Sequence, residues 1–318
     1  MSGRLTTLSL IFLFVVGGSR GFSQESIDSQ LAAIIILDSV VVTATKGAFS
    51  VEDFIALVQS DKSFYQAFRN LRFTSYRMKT KMHFKDRKGR ETADYQALHQ
   101  QNYDGFCRSM QVLSESKTGN LLKRNGAFRF YTAKLHDRLF ITHDTVCTSI
   151  DLHTQLEIQD GSGMEGHIGE LKKLIFSPGE PSDVPLIGRK TAIFTKKMMT
   201  KYDFFIRSES YLDKQEAYVF EARLKPEFQD GHFNQTVIKQ LITYFSKSDF
   251  QVLGRVYRLA QRKALYQFDV SMQIQLTQHG AFYFPISIIY DGNWGIPTKK
   301  REIGTFALDF SEFELNLQ

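Results

Sequence analysis

From Leu265 to Thr277 the chain alternates without a break. Tyr266, Phe268, Val270, Met272, Ile274 and Leu276 fall on one side, and Gln267, Asp269, Ser271, Gln273, Gln275 and Thr277 on the other. Only a period of two does this, so the segment predicts a β-strand with one apolar and one polar face. At about 3.3 Å per residue it spans roughly 40 Å, about twice the usual strand. Long two-faced strands suit a large curved antiparallel sheet, because parallel strands are buried on both faces and read as continuous apolar runs.

The same alternation recurs through the C-terminal half. Tyr202, Phe204 and Ile206 alternate, as do Tyr218, Phe220, Ala222 and Leu224. Strands are predicted over 237–245, 250–259 and 282–290, and Phe313, Leu315 and Leu317 alternate at the end. Earlier, a strand over Arg72–Phe84 runs into the turn Asp86-Arg87-Lys88-Gly89. Further turns are predicted at Asn102–Gly105 and Lys117–Asn120, and a strand pair over Ala127–Leu135 and Arg138–Cys147.

Helical spacing is confined to short stretches. Ser50 precedes Glu52 and Asp53, an N-cap with acids in the first turn, and Phe54, Ile55 and Val58 form one face. Ser60 is read as a second cap, opening Asp61–Leu71, where Phe64, Phe68 and Leu71 recur at i, i+4 and i+7. A third helix is expected over Ser162–Phe176, stopped by Pro178 and Pro181. The expected fold is α+β, mainly β: a large curved antiparallel sheet, a half-open barrel, with short helices covering its apolar side. No fixed-period repeat divides the chain, so residues 49–318 are expected to form a single β-rich domain.

The first residues have a different character. Arg4, the apolar run Leu5–Val16 and the small residues around Gly21-Phe22-Ser23 match a secretory signal peptide over residues 1–23. The run is shorter than the ~20 apolar residues needed to span a bilayer. Export to the periplasm or the outer-membrane surface is therefore expected, with no integral membrane segment. Residues 24–48 form a short β-prone segment. Within it, Asp38–Ala44 resembles the energy-coupling box of outer-membrane receptors, although nothing like a plug domain follows and a plain edge strand is the simpler reading.

Composition narrows the function classes. Net charge is only +6 and spread along the chain, and no aromatic-rich basic motif is present, so nucleic acid is not an expected partner. Phenylalanine is abundant at 28 residues, enough to build a core or to line a groove. Cys107 and Cys147 are either bridged, which would stabilise a loop of about 40 residues by roughly 4 kcal/mol, or buried free thiols. Without histidines at ligand spacing they make no zinc site, so neither metal nor cofactor is expected.

The sequence lacks a Gly-x-Ser-x-Gly elbow, a His-Glu-x-x-His pair and a phosphate-cradling loop. The strongest catalytic candidates are His136-Asp137, His143-Asp144 and His153, but neighbours on a strand point to opposite faces. Asp291-Gly292-Asn293-Trp294-Gly295 is read as a turn carrying the only tryptophan.

An export signal, short amphipathic helices and a long antiparallel meander resemble the periplasmic half-barrels of the outer-membrane lipoprotein carrier class. The phrases Tyr202–Ile206, Ala217–Lys225 and Leu241–Phe250 also resemble envelope proteins of that general build. The resemblance implies an open barrel whose concave apolar side, partly covered by helices, accepts acyl chains. Three readings remain. A noncatalytic envelope protein would bind an acyl chain, lipid or lipoprotein through Phe54, Phe64, Phe68, Phe268, Val270, Met272 and Ile274. An assembly factor would work through protein contacts, such as with an outer-membrane protein. An exported hydrolase would need converging acid, base or nucleophile groups.

Overall fold

The computed structural model describes residues 49–147, 174–181, 188–229, 235–262, 267–295 and 301–315. The signal segment 1–23, residues 24–48 with Asp38–Ala44, and His153 lie outside the described residues. So do Leu265 and Tyr266, and all but Leu174–Phe176 of the third expected helix.

Eleven strands form one antiparallel sheet in the order β4-β3-β2-β1-β11-β10-β9-β8-β7-β6-β5. They run as β1 Ser75–Lys85, β2 Glu91–Tyr103, β3 Cys107–Gly119, β4 Val146–Cys147, β5 Tyr202–Tyr211, β6 Gln215–Leu224, β7 Ile238–Ser246, β8 Val252–Arg262, β9 Gln267–His279, β10 Phe282–Gly295 and β11 Glu302–Glu314. Two meanders, β1–β4 and β5–β11, are joined where β1 pairs with β11. The terminal strands β4 and β5 are not paired with each other, so the sheet is not closed into a barrel.

The long alternating strand is β9, and Phe268, Val270, Met272, Ile274 and Leu276 are all buried on one face. Across the seam between the meanders the same face continues. Met78, Thr80 and Met82 of β1 lie opposite Phe310, Leu308 and Phe306 of β11. The outer face is polar: Lys79, Lys81 and Lys85 of β1 are exposed there, and Arg207, Arg223 and Gln240 surround the Glu221 carboxylate.

Helices lie against the inner face. α1, Val51–Ser60, opens on a capping box in which Ser50 and Asp53 bond each other's backbone N–H. Its Phe54 is stacked on Phe220, 5.8 Å between ring centres, and tilted against Phe245. α2, Ser63–Asn70, begins later than expected, and its capping group is Asp61 rather than Ser60. Ser60 closes α1 and donates back to the Ala56 carbonyl. The Asp61 carboxylate accepts the Ser63 N–H at 2.9 Å and also the buried Arg255 guanidinium from β8, again at 2.9 Å. At the other end of α2, Asn70 donates to the Tyr283 carbonyl of β10 at 2.9 Å.

Two further segments differ from expectation. Tyr131–Phe140 is a helix, α3, where a strand pair was expected. Its first turn carries no capping side chain of its own. The Glu302 carboxylate of β11 accepts the Tyr131 and Thr132 N–H groups at 2.6 and 2.7 Å instead. Second, Asp291–Gly295 is the end of β10, not a turn. The Tyr290 side chain lies over Gly292 so closely that a Cβ there would meet its hydroxyl at 2.3 Å, so the glycine belongs to the strand interior.

The Asp61–Arg255 pair is almost wholly buried, with side-chain exposures of 6% and 0%. Removing one member strands a charge, whereas replacing both by apolar groups need not destabilise. Asp61→Ala should therefore cost about 3–5 kcal/mol in urea unfolding, and the double variant Asp61→Ala/Arg255→Met should recover most of that loss. A double variant no more stable than Asp61→Ala would contradict this account of the pair.

Candidate ligand cavity

On the inner face, at the seam between the two meanders, floor and roof leave a space between them. The floor is a patch of direct cross-strand neighbours: Met272 and Ile274 of β9 face Tyr290 and Ile288 of β10, and Tyr290 faces Phe306 of β11. The Tyr290 and Phe306 rings are stacked at 4.7 Å. Tyr76 and Gln101 extend the floor across β1 and β2. The roof consists of α2, the 3-10 turn Leu71–Phe73, α3, the segment that follows it, and Ile175-Phe176. Between them is a cavity of about 470 Å³, within the range of about 300–1,000 Å³ common for small-molecule sites.

Polar groups hold the roof in place. Gln101, buried in β2, donates to the Leu71 and Thr74 carbonyls at 2.6 and 2.9 Å, and its amide oxygen accepts from Thr142 at 3.3 Å. One side chain thus fixes both the turn after α2 and the segment after α3. Cys107 and Cys147 face each other across β3 and β4 and are joined as a disulfide, which ties the end of that segment to the sheet.

The mouth is basic. Arg69, Arg72, Arg108, Arg138 and His143 line the cavity, and the described lining residues include no aspartate or glutamate. Burial, and then the neighbouring Arg72 charge, hold the Arg108 guanidinium below its ordinary pKa. Burial raises the Tyr76 phenol, a shift that the nearby Arg108 charge opposes.

The residues expected from sequence divide. Phe68, Met272 and Ile274 line the cavity. Phe54 is remote from it, within the aromatic cluster of Phe220, Phe245 and Tyr218. Phe64 lies under the Arg255 guanidinium, 4.5 Å from its ring centre. Val270 and Phe268 continue the buried face of β9 beyond the cavity, Phe268 resting against Trp294. Trp294 itself donates to the Tyr290 hydroxyl at 2.7 Å and packs on Tyr131 of α3. The contribution of α3 and the arginine pair were not foreseen. The helix could have been found from Thr132, Leu135, His136 and Leu139, which recur at i, i+3, i+4 and i+7.

The catalytic candidates do not converge. His136 is buried beneath α3, where its Nε2 and the Thr80 hydroxyl are 3.3 Å apart. His143 is exposed and pairs with Asp137 at 3.2 Å. Asp144 is an exposed loop residue with φ 59°, and His153 lies outside the described residues. On the β1–β2 hairpin, His83, Glu91 and Asp94 bring their ligand atoms within 4.8 Å of one another, and the imidazole and the Asp94 carboxylate already bond each other at 2.5 Å.

The fold is similar to three solved structures, all at low TM-scores. A putative outer membrane lipoprotein-sorting protein domain from Vibrio parahaemolyticus has 10% identity and a TM-score of 0.27, over 85% of this chain and 95% of that one. A LolA superfamily protein from Nitrosomonas europaea has 10% identity and a TM-score of 0.22, over 85% and 96%. A DUF1329 family protein from Desulfovibrio piger has 9% identity and a TM-score of 0.24, over 83% and 90%. No protein-family model and no curated protein matches the chain. Among the described residues, no helix is long and apolar enough to cross a membrane.

Burial, together with the charge of His99, lowers the His136 pKa from 6.5 to about 3. The unfolded chain therefore takes up this proton first as pH falls. The associated stability is present in full above pH ~6.5 and declines between ~6.5 and ~3, by at most about 1.4 kcal/mol per pH unit. Urea unfolding at pH 7 and pH 5 should show this decline, and His136→Gln should flatten it. An equal decline in the variant would remove His136 as its source.

Proposed function

We propose that this chain is an exported, noncatalytic envelope protein that holds the apolar part of an acyl chain, a lipid or a lipoprotein in the cavity between its sheet and its helices. The observation that carries this reading is the cavity itself. About 470 Å³ stays open above Met272, Ile274, Ile288 and Phe306, in a cleft bordered by exposed Arg72, Arg138 and His143. The floor is largely apolar at Met272, Ile274, Ile288 and Phe306, and it is rigid because these residues are cross-strand partners in the middle of a sheet. The roof is assembled from short helices and loops, which can part more cheaply than strands. Such a site suits sequestration of a greasy chain from water.

Protein contacts form a second role that the same chain could serve. β3 pairs with β4 only at Cys107 and Arg108, so among the described residues its outer edge is unpaired from Ser109 onward. Val112 and Leu113 are exposed on that strand and Phe106 just before it. An open edge with apolar side chains is a surface to which another chain can add a strand. A partner in the outer membrane would fit this role.

The container can be tested from its roof without disturbing the sheet. Ile141 is half-buried at the end of α3 and faces the cavity, so Ile141→Trp should fill space rather than unfold the protein. The fluorescence of N-phenyl-1-naphthylamine should rise on mixing with the wild type. In the variant its affinity should fall about ten-fold or more, the weight of about 1.4 kcal/mol, with the thermal midpoint unchanged. Undiminished dye binding in Ile141→Trp would place the dye elsewhere and remove the support for this cavity.

A further inference from the structure

We infer that the cavity is built for an amphiphile with an anionic head, a carboxylate or a phosphate monoester, which Arg72 and Arg108 hold at the mouth while its chain lies on the apolar floor. This deepens the container reading and rests on it. Arg72 comes from the turn after α2 and Arg108 from β3, so separate elements of the fold bring the two cations together. They are close enough for the charge of Arg72 to act on Arg108, which is half-buried. Neither forms a salt bridge or side-chain hydrogen bond with a described residue.

Several other arginines among the described residues have carboxylate partners. Where Arg207 and Arg223 approach each other, they share the Glu221 carboxylate. Arg255, the most deeply buried, takes Asp61. Arg77, Arg90 and Arg258 each have a carboxylate partner as well. A like-charged pair without a counter-ion disfavours the folded arrangement, and a bound anion reverses the sign of that interaction. Guanidinium forks match the geometry of carboxylate and phosphate oxygens, which a lysine pair would hold only as point charges. Beyond the mouth, Met272, Ile274, Ile288 and Phe306 form an apolar stretch of the floor on which a long chain can lie. A charged end and an apolar body are thus matched by the two ends of one site.

The test uses the full, disulfide-bonded chain and displacement of N-phenyl-1-naphthylamine by three ligands with the same sixteen-carbon skeleton: palmitate, hexadecyl phosphate and uncharged methyl palmitate. One charge-assisted contact should make at least one of the anions displace the dye at about ten-fold lower concentration than the ester. Which anion leads then identifies the head group. Arg72→Gln/Arg108→Gln should erase that preference and leave the ester's affinity unchanged. Arg72→Gln alone, at an exposed position, should weaken it several-fold, which guards against a double variant that fails to fold. If no alkyl ligand displaces the dye from the wild type, the container reading itself fails. If the ester binds as tightly as both anions, or the preference survives in the double variant, the container stands and the anionic-head inference is overturned.

Discussion

The pairing of β1 with β11 is the contact on which the rest of the molecule depends. It brings together strands from opposite ends of the described chain, placing Met78 beside Phe310 and Phe84 beside Gly304. Without it, β1–β4 and β5–β11 would be two separate sheets, each with an exposed apolar face and an additional open edge. With it, Tyr76 and Gln101 from one meander and Met272, Ile288 and Phe306 from the other become a single floor. The cavity therefore lies over the joint between the meanders, and neither could form it alone. The close approach at this joint also explains a glycine. A Cβ at Gly304 would meet the Phe84 ring at 2.8 Å and the Thr132 hydroxyl of α3 at 3.2 Å, so the strand and the helix above it pack directly against the bare backbone.

The inner face is filled unevenly. Around β5–β7 the aromatic side chains pack against one another and against α1. Phe204 and Phe54 each stack on Phe220, and Phe245 and Tyr218 lie beside Phe54. Much of the abundant phenylalanine is used there, as core. Near the β1–β11 seam the floor is made of methionine, isoleucine, tyrosine and Phe306, and α3 rests on it only in part, through Thr132, His136 and Phe140. The cavity lies at this seam, bordered by Phe68, Phe140, Phe176 and Phe306 as well as by aliphatic side chains.

Much of the sheet was legible because alternation is a local signal. Each strand's own residues record which face is buried, so the strands of the C-terminal meander could be read directly. α2 was legible from Phe64 and Phe68, and the Asp86–Gly89 turn from its residue types. What was not legible depended on partners far away in the chain. The capping group of α3 is Glu302, some 170 residues from Tyr131 and Thr132, so the helix carries no start signal of its own. Gly292 looked like a turn because the ring that covers it, Tyr290, is visible only once β10 is extended. The cavity lining followed the same rule. Facing inward could be read for Phe54, Phe64, Phe268 and Val270, but facing a void requires knowing what the opposite surface fails to fill. That distinction separated Phe68, Met272 and Ile274 from the others. Arg72 and Arg108 gave no signal, since neither is notable until the fold makes them neighbours.

The roof is fixed by directional bonds as well as by apolar contacts with the floor, such as Phe140 on Phe306. Gln101 fixes the turn after α2 and the segment after α3 at hydrogen-bond length. Asp61 and Arg255 anchor one end of α2, Asn70 the other, and Glu302 the start of α3. Each bond has a narrow range of permitted lengths and angles, and breaking one to let the roof sink would strand a buried polar group at a cost of about 1–3 kcal/mol. Collapse onto Met272 and Ile288 would gain apolar burial at about 25 cal/mol per Å², but only after several such bonds had been lost together. The space beneath the roof therefore depends on these few polar bonds, each made by residues from a different part of the sheet or its helices.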